Sequence, residues 1–281
     1  MNAYHRPETL GDALALLAET PVTLAAGCTD LFPATEMQQL PGAVLDLTAI
    51  ADLRGITATS EGWRIGATTT WSDVIAADLP PAFDMLKQAA GEVGSVQIQN
   101  AGTIAGNLCN ASPAADGVPP LLALDAIVEL ASLSGRRHVP LAMFLTGVRR
   151  TVLQPGEIVS AIVVPKQAGQ GRSGFAKLGA RKYLVISIAM VAVRLIADQG
   201  KVLEIALSVG SCSAVAMRLT ALETRLTGQP IAGLAAHIDE PSLADVLSPI
   251  SDMRGDAAYR ITAATELLRR TVADLSKGHS T

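Results

Sequence analysis

The sequence predicts an α+β protein in two parts, an α/β half followed by a smaller unit of antiparallel strands and helices. Three observations predict it. Short apolar runs alternate with amphipathic helical periods over the first half, and a polar, glycine-rich stretch at 167–174 (QAGQGRSG) then breaks the pattern. Beyond it come Val- and Ile-rich runs joined by Asp198-Gln199-Gly200, followed by helical spacings. The 281 residues are 49% hydrophobic and 17% charged, too apolar for a disordered chain and long enough for two cores. Aromatic residues are only 3%, so the cores must be built from small aliphatic side chains.

Each element has a local reason. Thr9 opens a helix with Asp12 as its capping partner, and Leu10, Ala13, Leu14 and Leu17 recur on one face. It ends near Thr20-Pro21, because proline disfavours helix in the residue before it. Apolar runs at 22–26 and 43–47 predict buried strands, the first stopped by Gly27 and the second preceded by a Pro41-Gly42 turn. Residues 63–67 read as a strand, 70–77 as a helix capped by Thr70 and Asp73, and 81–90 as a helix with proline in its first turn. Strands are expected at 126–133 and 138–141 around Ser134-Gly135, and at 158–164. After the polar stretch, taken as a linker, 185–197 and 202–209 form the predicted hairpin. Helices are expected at 216–227 and 256–277, where Ile261, Ala264, Leu268 and Leu275 hold a helical spacing.

Several function classes lose support. A formal charge of −4 gives no clustered Lys and Arg for a phosphate backbone, which argues against a nucleic-acid partner. Cys28, Cys109 and Cys212 are odd in number and widely spaced, so they form neither a disulfide framework nor a metal pair, and a cytoplasmic setting is expected. They read as small fillers. The N-terminus has no apolar signal core, and the most apolar stretch, 184–193, falls far short of the ~20 residues of a membrane span. Gly169, Gly171 and Gly174 spell GxGxxG, but Pro165 ends the strand before them and a β-rich segment follows, so the linker reading wins over a Rossmann fingerprint. His5, His138, His237 and His279 lie in no metal frame, and His138 reads as an exposed sheet residue.

Two segments carry candidate chemistry. In LAAGCTDL (Leu24, Ala25, Ala26, Gly27, Cys28, Thr29, Asp30, Leu31) a strand runs into small residues that let backbone N–H groups approach an anion. A strand leading into a helix cap would read much the same. In AGTIAGNLCNASPAAD (101–116) small and amide side chains without regular apolar spacing suggest a binding loop. Thr103, Ile104, Ala105, Gly106 and Asn107 would expose backbone amides, while Asn107, Asn110, Ser112 and Asp116 add acceptors and donors, Asp116 suiting the hydroxyls of a polyol.

Together AGCTDL and TIAGNLCNASPAAD resemble the FAD-binding signatures of the medium subunit of molybdenum hydroxylases, the xanthine dehydrogenase and carbon monoxide dehydrogenase family. YHRPETLGDALALLAE, VGSVQIQNAGT, PGEIVSAIVVP and FAKLGARK extend the resemblance over nearly the whole chain. It implies a two-lobed FAD-binding domain of the vanillyl-alcohol oxidase (PCMH) type at 1–168, with lobes of about 1–55 and 56–168. A C-terminal domain with a three-stranded antiparallel sheet and helices would follow at 172–281. The first loop would hold the pyrophosphate, and Thr103 through Asn107 would meet the pyrophosphate and the flavin edge. Asp116 would take ribityl or ribose hydroxyls, Val159 would line the flavin or adenine pocket, Lys177 would reach the cofactor from the second domain, and Tyr183 would stack near the flavin. No catalytic acid–base pair and no metal ligand is expected on this chain.

Two departures from the family pattern stand out. Cys28 and Ala105 occupy positions where glycine is usual, and each side chain is tolerable at negative φ but crowding at positive φ. The implied activity is electron transfer. A molybdopterin-binding large subunit would oxidise substrate, a 2Fe-2S small subunit would relay electrons, and the flavin here would pass them to NAD+ or another acceptor. The alternatives are a self-sufficient FAD-dependent oxidoreductase on the same fold and a scaffold that has lost its flavin.

Overall fold

The computed structural model describes residues 3–36, 40, 42–182 and 184–277. Strand β1 (Tyr4–His5) leads to helix α1 (Leu10–Glu19), which starts as its sequence demands: the Thr9 side chain accepts from the Asp12 N–H, and Thr20 returns to extended backbone. Strands β2 (Val22–Ala25) and β3 (Ala43–Asp46) follow, and the three form a parallel sheet of order β1-β3-β2. Ala13, Leu14, Leu45 and Leu47 of this layer are buried against Ala131 and Ile158 of the next.

The second layer begins with β4 (Ile56–Ala58) and β5 (Gly62–Gly66). Five short helices come next: α2 (Trp71–Ala76), α3 (Asp84–Glu92), α4 (Val96–Ala101), α5 (Ile104–Asn110) and α6 (Val118–Ala123). Helix α2 has the capping box that its sequence predicts, with Thr70 and Asp73 bonding reciprocally to each other's backbone N–H. Pro81–Phe83 forms a 3-10 turn before α3 instead of α-helix. Strands β6 (Ile127–Ser132) and β7 (Gly135–Pro140), the turn α7 (Leu141–Phe144), the pair β8 (Leu145–Gly147) and β9 (Arg150–Thr151), and β10 (Ile158–Pro165) complete it. Its antiparallel sheet has the order β4-β5-β10-β6-β7. His138 lies exposed on β7, 3.5 Å from the Glu129 carboxylate.

The third layer starts inside the stretch taken as a linker. Lys166–Gly169 is a 3-10 turn, and Arg172, Ser173 and Gly174 already belong to β11 (Arg172–Leu178), paired with β12 (Ala189–Asp198). Polar composition misleads here because this edge is fixed by remote partners. Ser173 accepts from the Met85 N–H at 3.0 Å and donates to the Pro81 carbonyl, and the Phe175 N–H donates to Gln88. The GxGxxG glycines serve packing: a Cβ on Gly169 would lie 2.1 Å from the Trp63 ring. Strand β13 (Lys201–Gly210) closes the expected hairpin, and a two-residue β14 (Met217–Arg218) adds a fourth strand where a helix start is expected. Helices α8 (Thr220–Leu226), α9 (Glu240–Ala244) and α10 (Ala257–Lys277) cover one face.

Helix α6 seats the two halves together. It packs on β12 and β13, and the largest core runs from Ile65 and Leu121 through to Ala192, Ala206 and Ala216. Arg194 is fully buried at this seam, donating to the Ala123 carbonyl at 3.1 Å and pairing with Glu204.

Candidate functional site

Strand β2 delivers the first loop to the site. Gly27 sits so close to the neighbouring segment that a Cβ there would fall 2.0 Å from the Ala101 carbonyl oxygen. Only glycine permits that approach. The chain then turns at Cys28, φ +57°, and its carbonyl accepts from the Phe32 N–H. Among the described residues, the N–H groups of Gly27, Cys28, Thr29 and Asp30 donate to no backbone carbonyl. Unpaired successive amides of this kind attract an anion. Burial pushes the Cys28 thiol up, so it stays neutral beside them.

The second segment is folded differently from its reading as a loop. Residues 104–110 are helix α5, started by Thr103, whose side chain accepts from the Gly106 N–H. The Ile104 N–H donates to Thr69 and the Ala105 N–H to Ala67, so the amides expected to be exposed are already bonded. Glycine and asparagine hide this helix in the sequence, because its apolar face is only Ile104 and Leu108. Ala105 lies within it, outside the positive-φ residues, so of the two departures from glycine only Cys28 is strained.

The two segments line one cavity of about 420 Å³, within the ~300–1,000 Å³ usual for cofactor sites. All eight residues from Leu24 to Leu31 line it, with Thr103, Ala105, Gly106, Asn107, Asn110 and Val159. Ile104 is buried behind it. Leu47, Thr68, Trp71, Leu153 and Ile158 also line the cavity, and sequence reasoning missed them as lining residues, while Cys109 lies within the second signature segment. Trp71 is one of only two tryptophans and is fully buried, a scarcity that marks it in retrospect. Among the described residues, no Lys or Arg lines this cavity. The Asn107 side-chain oxygen is buried without a hydrogen-bond partner among the described residues.

Asp116 and Lys177 belong to an adjoining space. A second cavity of about 440 Å³ shares Asp30, Val93, Asn107 and Asn110 with the first and is lined further by Asp116, Arg149 and the apolar segment Leu184, Val185 and Ile186. Asp116 is buried and accepts from the Lys177 ammonium at 2.7 Å and from the Ser187 hydroxyl at 2.6 Å. Burial holds its carboxyl above the usual carboxylate range, against the pull of Lys177 and Ser187. Lys177 lines neither cavity and also lies 3.4 Å from the Glu92 carbonyl. Tyr183 lies outside the described residues.

The three α+β layers, with a cavity between the loop after β2 and helix α5, belong to a flavoprotein of the oxidoreductase class, as the comparisons show. Residues 1–167 match the family model described as FAD binding domain in molybdopterin dehydrogenase, and 175–275 match the CO dehydrogenase flavoprotein C-terminal domain. The chain belongs to the FAD-binding medium subunits of the xanthine dehydrogenase and carbon monoxide dehydrogenase family. It is 30% identical to the xanthine dehydrogenase FAD-binding subunit of Escherichia coli O157:H7, over 97% of this chain and 95% of that protein. It is 32% identical to the carbon monoxide dehydrogenase medium chain of Afipia carboxidovorans, over 96% and 94%. The structure of reconstituted CO dehydrogenase from Oligotropha carboxidovorans superposes with a TM-score of 0.87, at 29% identity, covering 99% of this chain and 98% of that one. The site fits FAD on its own chemistry. The loop amides lack an acceptor, which a pyrophosphate supplies, and the Asn107 oxygen lacks a donor, which a ribityl hydroxyl or a ring N–H supplies.

Proposed function

We propose that this chain is the electron-transferring subunit of a molybdenum hydroxylase complex, taking electrons from a 2Fe-2S small subunit and passing them to NAD+ or another acceptor. A molybdopterin-binding large subunit oxidises the substrate. The observation that carries the reading is the run of unpaired N–H groups from Gly27 to Asp30, opening on a cavity lined by both signature segments. In this reading the segment Leu24 to Leu31 holds the pyrophosphate through the unpaired amides of Gly27 to Asp30, and Thr103 to Asn107 flank it. Val159 walls the flavin or adenine, Asn110 lies at the junction of the two cavities, and Asp116, held by Lys177 from behind, meets the cofactor's hydroxyls.

Bound FAD supplies a carrier that accepts one or two electrons, which joins single-electron relays to a two-electron acceptor. The chain's own residues bind, orient and exclude water: Leu47, Trp71, Leu153 and Ile158 give the trough apolar walls. The setting proposed is the cytoplasm, supported by three free cysteines. Among the described residues no helix is long and apolar enough to cross a membrane.

The test is the visible spectrum and the subunit composition of the protein purified from its native host. Flavin bands that bleach on adding substrate, with iron–sulfur and molybdenum chains co-purifying, are expected. Absence of flavin after incubation with FAD overturns the cofactor assignment. Full turnover by the lone chain overturns the subunit assignment and leaves a self-sufficient oxidoreductase.

A further inference from the structure

We infer that Ser187 is a positioning residue that aims the Asp116 carboxylate into the second cavity. The inference rests on the reading of Asp116 as a cofactor contact, and adds a residue that neither signature segment contains. Asp116 sits at the end of the second signature segment, on the connection between α5 and α6. Ser187 comes from the other half of the chain, two residues before β12, and is 2% exposed. Its hydroxyl donates to Oδ1 at 2.6 Å while the Lys177 ammonium donates to Oδ2 at 2.7 Å. A carboxylate turns freely about its Cβ–Cγ bond unless both oxygens are held. Two donors, one on each oxygen, fix its plane.

The placement of Ser187 gives the contact its consequence. It directly follows Leu184, Val185 and Ile186, which form the apolar wall of the cavity that Asp116 lines on the polar side. The bond ties that wall to the acid, so the two sides of the second cavity keep one spacing. The charged and titratable groups facing Asp116 are Lys177 from β11 and Glu92 from the end of α3, with Asp30 and Arg149 on the same cavity. Glu92 opposes ionisation of Asp116, while Lys177 and Ser187 support it. Removing the Ser187 hydroxyl therefore raises the pH at which Asp116 loses its charge.

The experiment titrates FAD into the full-length protein, with the chains that accompany it, and follows flavin fluorescence as a function of pH. Ser187→Ala is expected to bind FAD about tenfold more weakly at pH 7, as befits loss of one hydrogen bond to a charged group. Its acid limb should move to higher pH. In an Asp116→Ala background the same serine substitution should add nothing, because its effect passes through the carboxylate. Unchanged affinity and pH profile in Ser187→Ala, or an equal loss in the Asp116→Ala background, overturns the inference while leaving the FAD reading intact. A wild-type protein that takes up no FAD overturns both.

Discussion

Cys28 is where the chain gives up conformational ease for position. Its backbone is left-handed, a region that costs an L-residue about 1–2 kcal/mol. Glycine would remove that cost and add roughly 0.5–1 kcal/mol of unfolded-state entropy. Cys28→Gly should therefore raise stability by up to about 1 kcal/mol, seen by calorimetry as a melting point about 2 °C higher. Cys28→Ala keeps the strain, so an equal gain from alanine would sink this explanation. The positive φ was foreseen as the condition that matters, but the sequence could not say which of Cys28 and Ala105 would meet it. Ala105 escapes because Thr103 starts a helix that places it in ordinary helical backbone.

At the scale of elements, the link between β11 and the α5–α6 connection is a buried ion pair, Lys177 with Asp116. Deleting one partner of such a pair costs about 3–5 kcal/mol, because the other is left charged in a dry site. Lys177→Met should show that loss in urea unfolding, and the loss should depend on pH in a defined direction. The folded Asp116 titrates above its unfolded value, so the folded state holds its proton longer and stability falls as pH rises between the two values. Without Lys177 the folded value climbs further. The deficit relative to wild type should then shrink on acidification, as a protonated Asp116 needs no counter-charge; a deficit constant across pH would refute the assignment.

Elements whose causes are local were legible. Thr9 with Asp12 and Thr70 with Asp73 cap their helices as written, since a cap is settled within four residues. The eight residues from Leu24 to Leu31 line the cavity, but a strand that runs into small residues reads equally as the lead into a helix cap, so the resemblance was needed to single them out. Trp71, Leu47 and Leu153 were not found, because three segments distant in sequence meet only at the cavity. Residues 172–174 were misread for the same reason, their strand being defined by Val193, Arg194 and Leu195 across the sheet.

At the scale of the molecule, the two halves are not independent. Ala192, Ala206 and Ala216 complete the core that Ile65, Leu86 and Leu121 begin, and Arg194 crosses the seam. The full chain should therefore unfold in one cooperative transition, with near- and far-ultraviolet circular dichroism melting together. A fragment ending at residue 168 should bind hydrophobic dyes and lack a near-ultraviolet signal. Two separated transitions would show that the seam contributes little.

That shared core also sets an order of events at birth. A ribosome delivers both signature segments early, yet Lys177, Ser187 and the alanines that close the core arrive only with β11 to β14. The first cavity is walled by residues 24–159 alone, whereas Asp116 gains its partners only after β11 has been made. The N-terminal half should therefore complete its core, and seat Asp116, only with the last third of the chain, and a prematurely terminated product would be a target for chaperones.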